Sequence, residues 1–529
     1  MTLQPVLING QWRQSVSPAG TFTATNPATK TPLSDEYPVS AWDEVEEALV
    51  AGRRAADELR SVRPQQIAEF LEQYALNIEA RSAELVEMAH IETGYPREPR
   101  LASGELPRTT DQLRQAAAAA RSASWTLTTI DTQSNIRSMY GPLGGAVAVF
   151  GPNNFPFAFN SSAGGDFAAA IVAGNPVIAK ANSSHPGTTR IFTEAAFDAV
   201  QSTGLPAATV QLIYRLRHED GTRFVSHPLI AATGFTGSKY AGLQLKSAAD
   251  AAGKPIYLEM SSVNPIVVLP GALEERSEEI ASEFFGSCTL GAGQFCTNPG
   301  LVLLVKGEQS EAFVEQAAAL FAGATPGVLL SAGGPRDIAN AIETLQQNGA
   351  EVVTGGQEMV DAAGYSYANT LLRVSGEDFL RDPDALQTEA FGPVSLIVFT
   401  DSVDELQAVI SEMEGNLTGC IYSHRGGNDD ELYDRVAPDL RERVGRLLND
   451  KMPTGVAVVP SMNHGGPYPA TGHPGFTAVG IPGSLLRFGA LLSYDNVRAH
   501  RLPAELGDKN PTGDMWRLVD GAWTTADIA

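Results

Sequence analysis

Residues 146–180 read AVAVFGPNNFPFAFNSSAGGDFAAAIVAGNPVIAK. A β-prone run, Ala146–Phe150, ends in a turn of Gly, Pro and Asn. A helical stretch over Phe167–Ala173 follows, and then a second β-prone run, Val177–Ala179. Strand, helix and strand in so short a span make a βαβ unit, whose crossover sets its two strands parallel. The alternation continues outward. Further β-prone runs at Val210–Tyr214, Leu229–Ala232 and Ile256–Leu258 are separated by helical stretches at Thr188–Ser202 and Tyr240–Ala252. This pattern predicts an α/β fold on a parallel sheet. A second alternating region runs from Val263 to about Met462 and includes Leu301–Val305, Val352–Thr354, Val394–Phe399 and Leu417–Ser423. It predicts a second α/β domain. Two to four domains suit 529 residues at roughly 150 residues each.

Upstream, Leu7-Ile8, Asn9-Gly10 and Gln11-Trp12 read as strand, turn and strand. Ser40 and Asp43 fit a variant capping box, with Ser40 as N-cap. Trp42, Val45, Leu49 and Ala56 then recur at helical spacing, and two more helical patterns follow Pro64 and stop near Gly94. The β-prone pieces Ser122–Tyr140 and Gly489–Tyr494 fall outside both alternating regions and are candidates to pair with each other or with another subunit.

Composition narrows the function. With 61 Asp+Glu against 37 Lys+Arg, a net charge of −24 argues against nucleic acid or an anionic membrane surface as partner. No apolar run reaches the roughly 18 residues of a membrane span, and the first residues lack the pattern of a secretory signal. The expected location is the cytoplasm. Cys288, Cys296 and Cys420 are too few for a disulfide framework and include no CxxC pair, which fits a reducing compartment. Neither G-x-G-x-x-G nor the P-loop pattern occurs, so a nucleotide site must rest on other residues.

Three segments carry chemistry. In Gly291-Ala-Gly-Gln-Phe-Cys296-Thr-Asn-Pro-Gly300, glycines flank a cysteine that can attack a carbonyl if its thiolate is accessible. The same cysteine could instead be a small buried hydrophobe. In Pro255-Ile-Tyr-Leu-Glu259-Met-Ser-Ser-Val-Asn-Pro265, a carboxylate ends a strand, where α/β sheets open their ligand crevice. Burial there moves it towards a general base's range. Its bland alternative is a surface cap. In Ala148-Val-Phe-Gly151-Pro-Asn-Asn154-Phe-Pro156, an amide N–H aimed at an oxyanion is worth about 3–4 kcal/mol. An Asx-turn is the alternative. His464 and His473 have no cysteine or carboxylate at ligand spacing in the sequence, so no metal site is expected.

In this order the three segments resemble the aldehyde dehydrogenase superfamily. Glu92-Thr-Gly94, Gly174-Asn-Pro-Val-Ile-Ala-Lys180, Gly234-Phe-Thr-Gly237-Ser238 and Glu389-Ala-Phe-Gly-Pro393 extend the resemblance over roughly Leu7–Asn496. Ala163-Gly-Gly-Asp166, His185-Pro-Gly-Thr188 and Asn463–Thr471 resemble the branch containing α-ketoglutarate semialdehyde and NADP-dependent fatty aldehyde dehydrogenases. There are departures. Met260-Ser-Ser-Val263 stands where many members have Leu-Gly-Gly-Lys, Asn153 replaces a common Trp, and Ala163 a common Lys.

The resemblance implies two Rossmann-like parallel-sheet domains and a small β oligomerisation element. Residues 1–121 and 141–258 would bind cofactor, 259–465 would carry catalysis, and 122–140 with 485–529 would form the oligomerisation element and C-terminal arm. It implies oxidation of an aldehyde to a carboxylate through a thioester. Cys296 would be nucleophile, Glu259 would activate water, and Asn154 would hold the oxyanion. Lys180, Gly237, Ser238, Glu389 and Phe391 would bind the dinucleotide. Ser183, where NAD-preferring relatives commonly carry a carboxylate, favours NADP over NAD, with Arg215 and Arg217 as phosphate partners. The leading substrate is α-ketoglutarate semialdehyde and the alternative a medium or long aliphatic aldehyde. A homodimer or homotetramer is expected. A cysteine hydrolase or an inactive binding homologue is the distant alternative: the first gives no reason for Lys180 and Glu389, and the second would be expected to have lost Cys296 or Glu259, both of which remain.

Overall fold

A computed structural model describes residues 3–529. Two seven-stranded sheets dominate. The first has the order Ile256–Glu259, Ile230–Thr236, Ala146–Phe150, Val177–Lys180, Val210–Ile213, Val6–Ile8, Gln11–Arg13. Its first five strands are parallel, and the N-terminal pair closes one edge antiparallel. Strands 146–150 and 210–213 are buried almost throughout, as expected where helices cover both faces of a parallel sheet.

The second sheet has the order Glu351–Thr354, Thr370–Ser375, Val394–Thr400, Leu301–Val305, Ile266–Val268, Asn416–Tyr422, Val444–Asn449. All its pairings are parallel except that of the 351–354 edge strand. The β-prone pieces left over in the sequence do pair with each other. Gly489–Asp495 runs antiparallel to Ile136–Pro142, in a third sheet continued by Thr129–Asp131, Arg517–Val519 and Ala522–Thr524.

The capping box at Ser40 does not form. The strand Thr31–Val39 runs up to it, and the Ser40 N–H donates to the Arg215 carbonyl at 2.9 Å. The residue is thereby held as an extension of sheet, and the helix Trp42–Leu59 starts one position later with Ala41 as an uncapped N-cap. The next two helices, Pro64–Ala80 and Ser82–Thr93, begin at Pro64 and end at a left-handed Gly94 as the pattern predicts.

Two of the quoted motifs hold the frame together. Glu92 is buried and accepts bonds from the Gly187 and Thr188 N–H groups and the Thr188 hydroxyl. This seats a carboxylate on the N-terminus of the helix Pro186–Thr203. Asp166 pairs with the buried Arg487 at 2.8 Å.

Candidate active site

The strands of the first sheet end together, and their last residues form one wall of the site. Parallel register sets Phe150 beside Lys180 and Phe235, and Thr236 beside Glu259. The turn after Phe150 carries Asn154. The turn after Thr236 carries Gly237 and Ser238, and Ser238 caps the helix Lys239–Ala251 by accepting from the Ala241 N–H. Facing this wall is the loop that carries Cys296.

That loop owes its shape to three consecutive left-handed residues, Gly291, Ala292 and Gly293 (φ 59°, 56° and 69°). At Gly293 a Cβ would collide with the Gly392 carbonyl, so the cysteine loop packs directly on the Glu389–Pro393 segment. The loop is also pinned at its centre. Asn264 donates to the Cys296 and Asn298 carbonyls, both at 2.9 Å, and the buried Asn154 amide donates to the Gln294 carbonyl at 2.9 Å.

A cavity of about 370 Å³ opens between the two α/β layers. It is lined by Asn154, Gly237, Ser238, Glu259, Cys296, Glu389 and Phe391, together with Pro152, Asn153, Ser331 and Ile338. It thus gathers seven residues named from the sequence. Lys180 ends the strand beside the Asn154 turn, and Arg215 lies two residues beyond the partner strand's end. Burial, reinforced by Arg215, pushes the Lys180 ammonium down to about 8. Arg217 faces elsewhere: it is exposed and paired with Asp220 at 2.8 Å and Glu219 at 3.3 Å. Ser183 is half-buried beside Asn182, whose amide donates to the Gly151 carbonyl.

His464 alters the reading of the site. No cysteine or carboxylate stands near it in the sequence, yet its buried Nε2 lies 3.0 Å from Glu259 Oε1 and 3.5 Å from Cys296 Sγ. The three donor atoms lie within 4.8 Å of one another. Folding brings together groups 168 and 205 positions apart, which local spacing does not reveal. The Asn463–Thr471 segment is held there because Met260 N–H donates to Ala470 and Gly472 N–H to Leu258. One nitrogen faces both partners. A hydrolytic triad uses both ring nitrogens, one for the nucleophile and one for the carboxylate, so the arrangement does not match one.

Electrostatics separate the groups. Burial, then the Glu259 carboxylate, pushes the Cys296 thiol well above the ordinary thiol range. Burial raises Glu389 to about 7, against hydrogen bonds from Ser261 and Ser262 that favour its charged form. The Met260-Ser-Ser departure thus supplies a hydroxyl to Glu389. Ser262 also bonds Asn416 and Asn264, at 3.1 and 2.9 Å, fixing the turn after Glu259. Cys288 and Cys420 are buried away from the cavity, and burial raises both thiols to about 12.

Comparison with known proteins gives consistent matches. Residues 12–511 match the model of the "Aldehyde dehydrogenase family". Alpha-ketoglutaric semialdehyde dehydrogenase 2 of Azospirillum brasilense is 39% identical over 517 residues, 95% of this chain and 96% of the relative. Alpha-ketoglutaric semialdehyde dehydrogenase of Acinetobacter baylyi is 35% identical over 530 residues, 98% of each chain. Among solved structures, PnpE of Pseudomonas sp. WBC-3 in complex with nicotinamide adenine dinucleotide superposes with a TM-score of 0.79 at 20% identity, covering 94% of this chain and 98% of that one.

Proposed function

The chain belongs to the aldehyde dehydrogenase family, whose members oxidise aldehydes with NAD or NADP, and from that premise we propose that it converts α-ketoglutarate semialdehyde to α-ketoglutarate. The observation that carries this reading is the name shared by the Azospirillum and Acinetobacter relatives, each aligned over nearly the whole chain. The chemistry is assigned to the residues of the cavity.

Cys296 is the nucleophile. Its sulfur bonds to the aldehyde carbon, and the negative charge that develops on the aldehyde oxygen falls to the Asn154 amide and the Cys296 N–H. Asn154 serves this role by exchanging its bond to the Gln294 carbonyl for one to the oxyanion. Glu259 is the base. Cys296 attacks as the thiolate, and after oxidation Glu259 takes a proton from the water that cleaves the thioester. His464, bonded to Glu259 and close to Cys296, orients the carboxylate and shares the proton between them. Among the described residues no helix is long and apolar enough to cross a membrane.

The residues lining the far side of the cavity suit a dinucleotide: a capped helix N-terminus at Ser238, a glycine at 237 that leaves room, and an acidic and an aromatic side chain at Glu389 and Phe391. A dinucleotide held there would supply the acceptor for the hydride released from the former aldehyde carbon. Glu389 and Phe391 would hold its ribose and ring, and Lys180 the adenosine ribose. NADP is the proposed form. Ser183 adds no negative charge beside Lys180, and Arg215 contributes a guanidinium with no acidic partner among the described residues. Arg217, already paired, has no part in this assignment. The proposed assembly is a homodimer or homotetramer built through the third sheet, acting in the cytoplasm.

A panel of aldehydes assayed with both cofactors tests the reading. The semialdehyde with NADP⁺ should give the highest kcat/KM, and Ser183→Glu should depress NADP⁺ use selectively. Hexanal or decanal outranking the semialdehyde would assign the enzyme to aliphatic aldehydes. Strong preference for NAD⁺ in the parent enzyme would remove Ser183 from cofactor choice.

A further inference from the structure

The substrate proposed above carries a carboxylate at the end remote from its aldehyde, and a buried site that takes it needs a cation. This inference rests on that substrate reading and identifies the cation. Three arginines lie close to the catalytic groups: Arg446, Arg100 and Arg108. Arg446 is satisfied, since both terminal nitrogens donate to carbonyls of Pro453 and Gly455. Arg100 donates to the Asn154 carbonyl at 3.0 Å and stands 3.4 Å from the buried Glu105 carboxylate. Arg108 has no such partner. Its Nε and Nη2 are buried without any hydrogen bond among the described residues.

The position of Arg108 makes this costly. It lies in the first turn of the helix Leu106–Ser122, where the helix dipole already disfavours a cation. Burial is the main cause lowering its pKa, and the Glu105 and Glu259 carboxylates oppose it, as the Cys296 thiolate does once formed. Glu105 forms no ion pair or hydrogen bond with Arg108: one oxygen accepts the Phe157 and Ala158 N–H groups, and the other, without a hydrogen bond, stands 3.4 Å from Arg100.

The guanidinium lies 5.3 Å from the Phe159 ring and 5.7 Å from the Phe155 ring. These rings lead to the reacting groups. Phe159 is 5.7 Å from the His464 ring, and Phe155 is 5.2 Å from Phe295, the residue before Cys296. None of these three phenylalanines lines the dinucleotide cavity. They form a packed apolar cluster beside Cys296, and at its edge stands a guanidinium with unused donors.

We propose that Arg108 binds the remote carboxylate of an ω-oxo acid through its unpartnered N–H groups, and so selects an anionic short-chain aldehyde over an uncharged one. The planar fork of Arg matches a carboxylate in two parallel bonds. Phenylalanine walls exclude water and strengthen that pair. The carboxylate thereby supplies the hydrogen bonds that Nε and Nη2 lack.

The test compares α-ketoglutarate semialdehyde with pentanal, an uncharged aldehyde of the same length, in the parent enzyme, Arg108→Lys and Arg108→Met. For Arg108→Met, kcat/KM for the semialdehyde should fall roughly 30- to 100-fold, chiefly through KM, while that for pentanal changes far less. Glutarate should inhibit pentanal oxidation competitively in the parent enzyme and lose that inhibition in Arg108→Met. Arg108→Lys, which keeps the charge but not the fork, should fall between and serves if the methionine variant does not fold. Parallel losses on both aldehydes, or full retention of semialdehyde preference, would overturn the role of Arg108. A parent enzyme with no preference for the semialdehyde would instead overturn the substrate reading itself.

Discussion

A thiol attacks as its thiolate, yet in the free enzyme Cys296 is held in its neutral form, first by burial and then by the Glu259 carboxylate beside it. Its reactivity must therefore still be rising at pH 9. Removing the neighbouring charge should lower the thiol's pKa. Alkylation of Cys296 by iodoacetamide in Glu259→Gln should accordingly be severalfold faster at pH 8 than in the parent, with the pH profile displaced downward, even though turnover collapses. An unchanged profile would mean that the carboxylate does not act on the thiol. Cys296, Glu259 and Asn154 were legible as candidates because their three segments together resemble one family; each local pattern alone, a glycine loop, a strand end or a polar turn, left a bland alternative open. His464, Asn264 and Arg108 were not. His464 and Asn264 acquire their partners, and Arg108 its buried setting, only through the fold, and a histidine with no neighbouring ligand in the sequence carries no sign that it will be buried against a cysteine and a glutamate.

At the level of elements, the alternation of β-prone and helical runs was sufficient to separate two parallel sheets, because buried parallel strands are almost uniformly apolar. It failed at Ser40, where a long-range strand contact took the N–H that a capping turn would have used. The loop of Cys296 depends on another such contact. Gly293 is left-handed and lies against the Gly392 carbonyl, so a methyl group there displaces either the cysteine loop or the Glu389–Pro393 segment. Gly293→Ala should cost on the order of 100-fold in kcat/KM, since small misplacements of reacting groups carry penalties of that size, while its melting temperature falls modestly. A fully active Gly293→Ala enzyme would show that the loop tolerates the shift.

On the scale of the whole molecule, the third sheet leaves apolar side chains uncovered: Leu491 is 62% exposed, Trp523 55%, Trp516 53% and Ile136 41%. Patches of this kind mark association surfaces, and Gly489–Asp495 is an edge strand, paired on one side only among the described residues and open to further pairing on the other. Leu491→Asp should shift the sedimentation coefficient towards that of a 56.0 kDa monomer. A parent enzyme that already sediments as a monomer would place these side chains in some other contact.

The connectivity of that sheet also sets an order of events during synthesis. The first sheet is complete in sequence at Glu259 and the second at Asn449, but the hairpin 129–142 finds the neighbours for its two outer edges only in 489–524. A ribosome holds the last few tens of residues of a growing chain in its exit tunnel, and domains fold in the order in which they emerge. Both α/β layers can therefore assemble first, whereas the hairpin 129–142 keeps both outer edges open until 489–524 has emerged. The surface through which subunits would meet is thus the last to form.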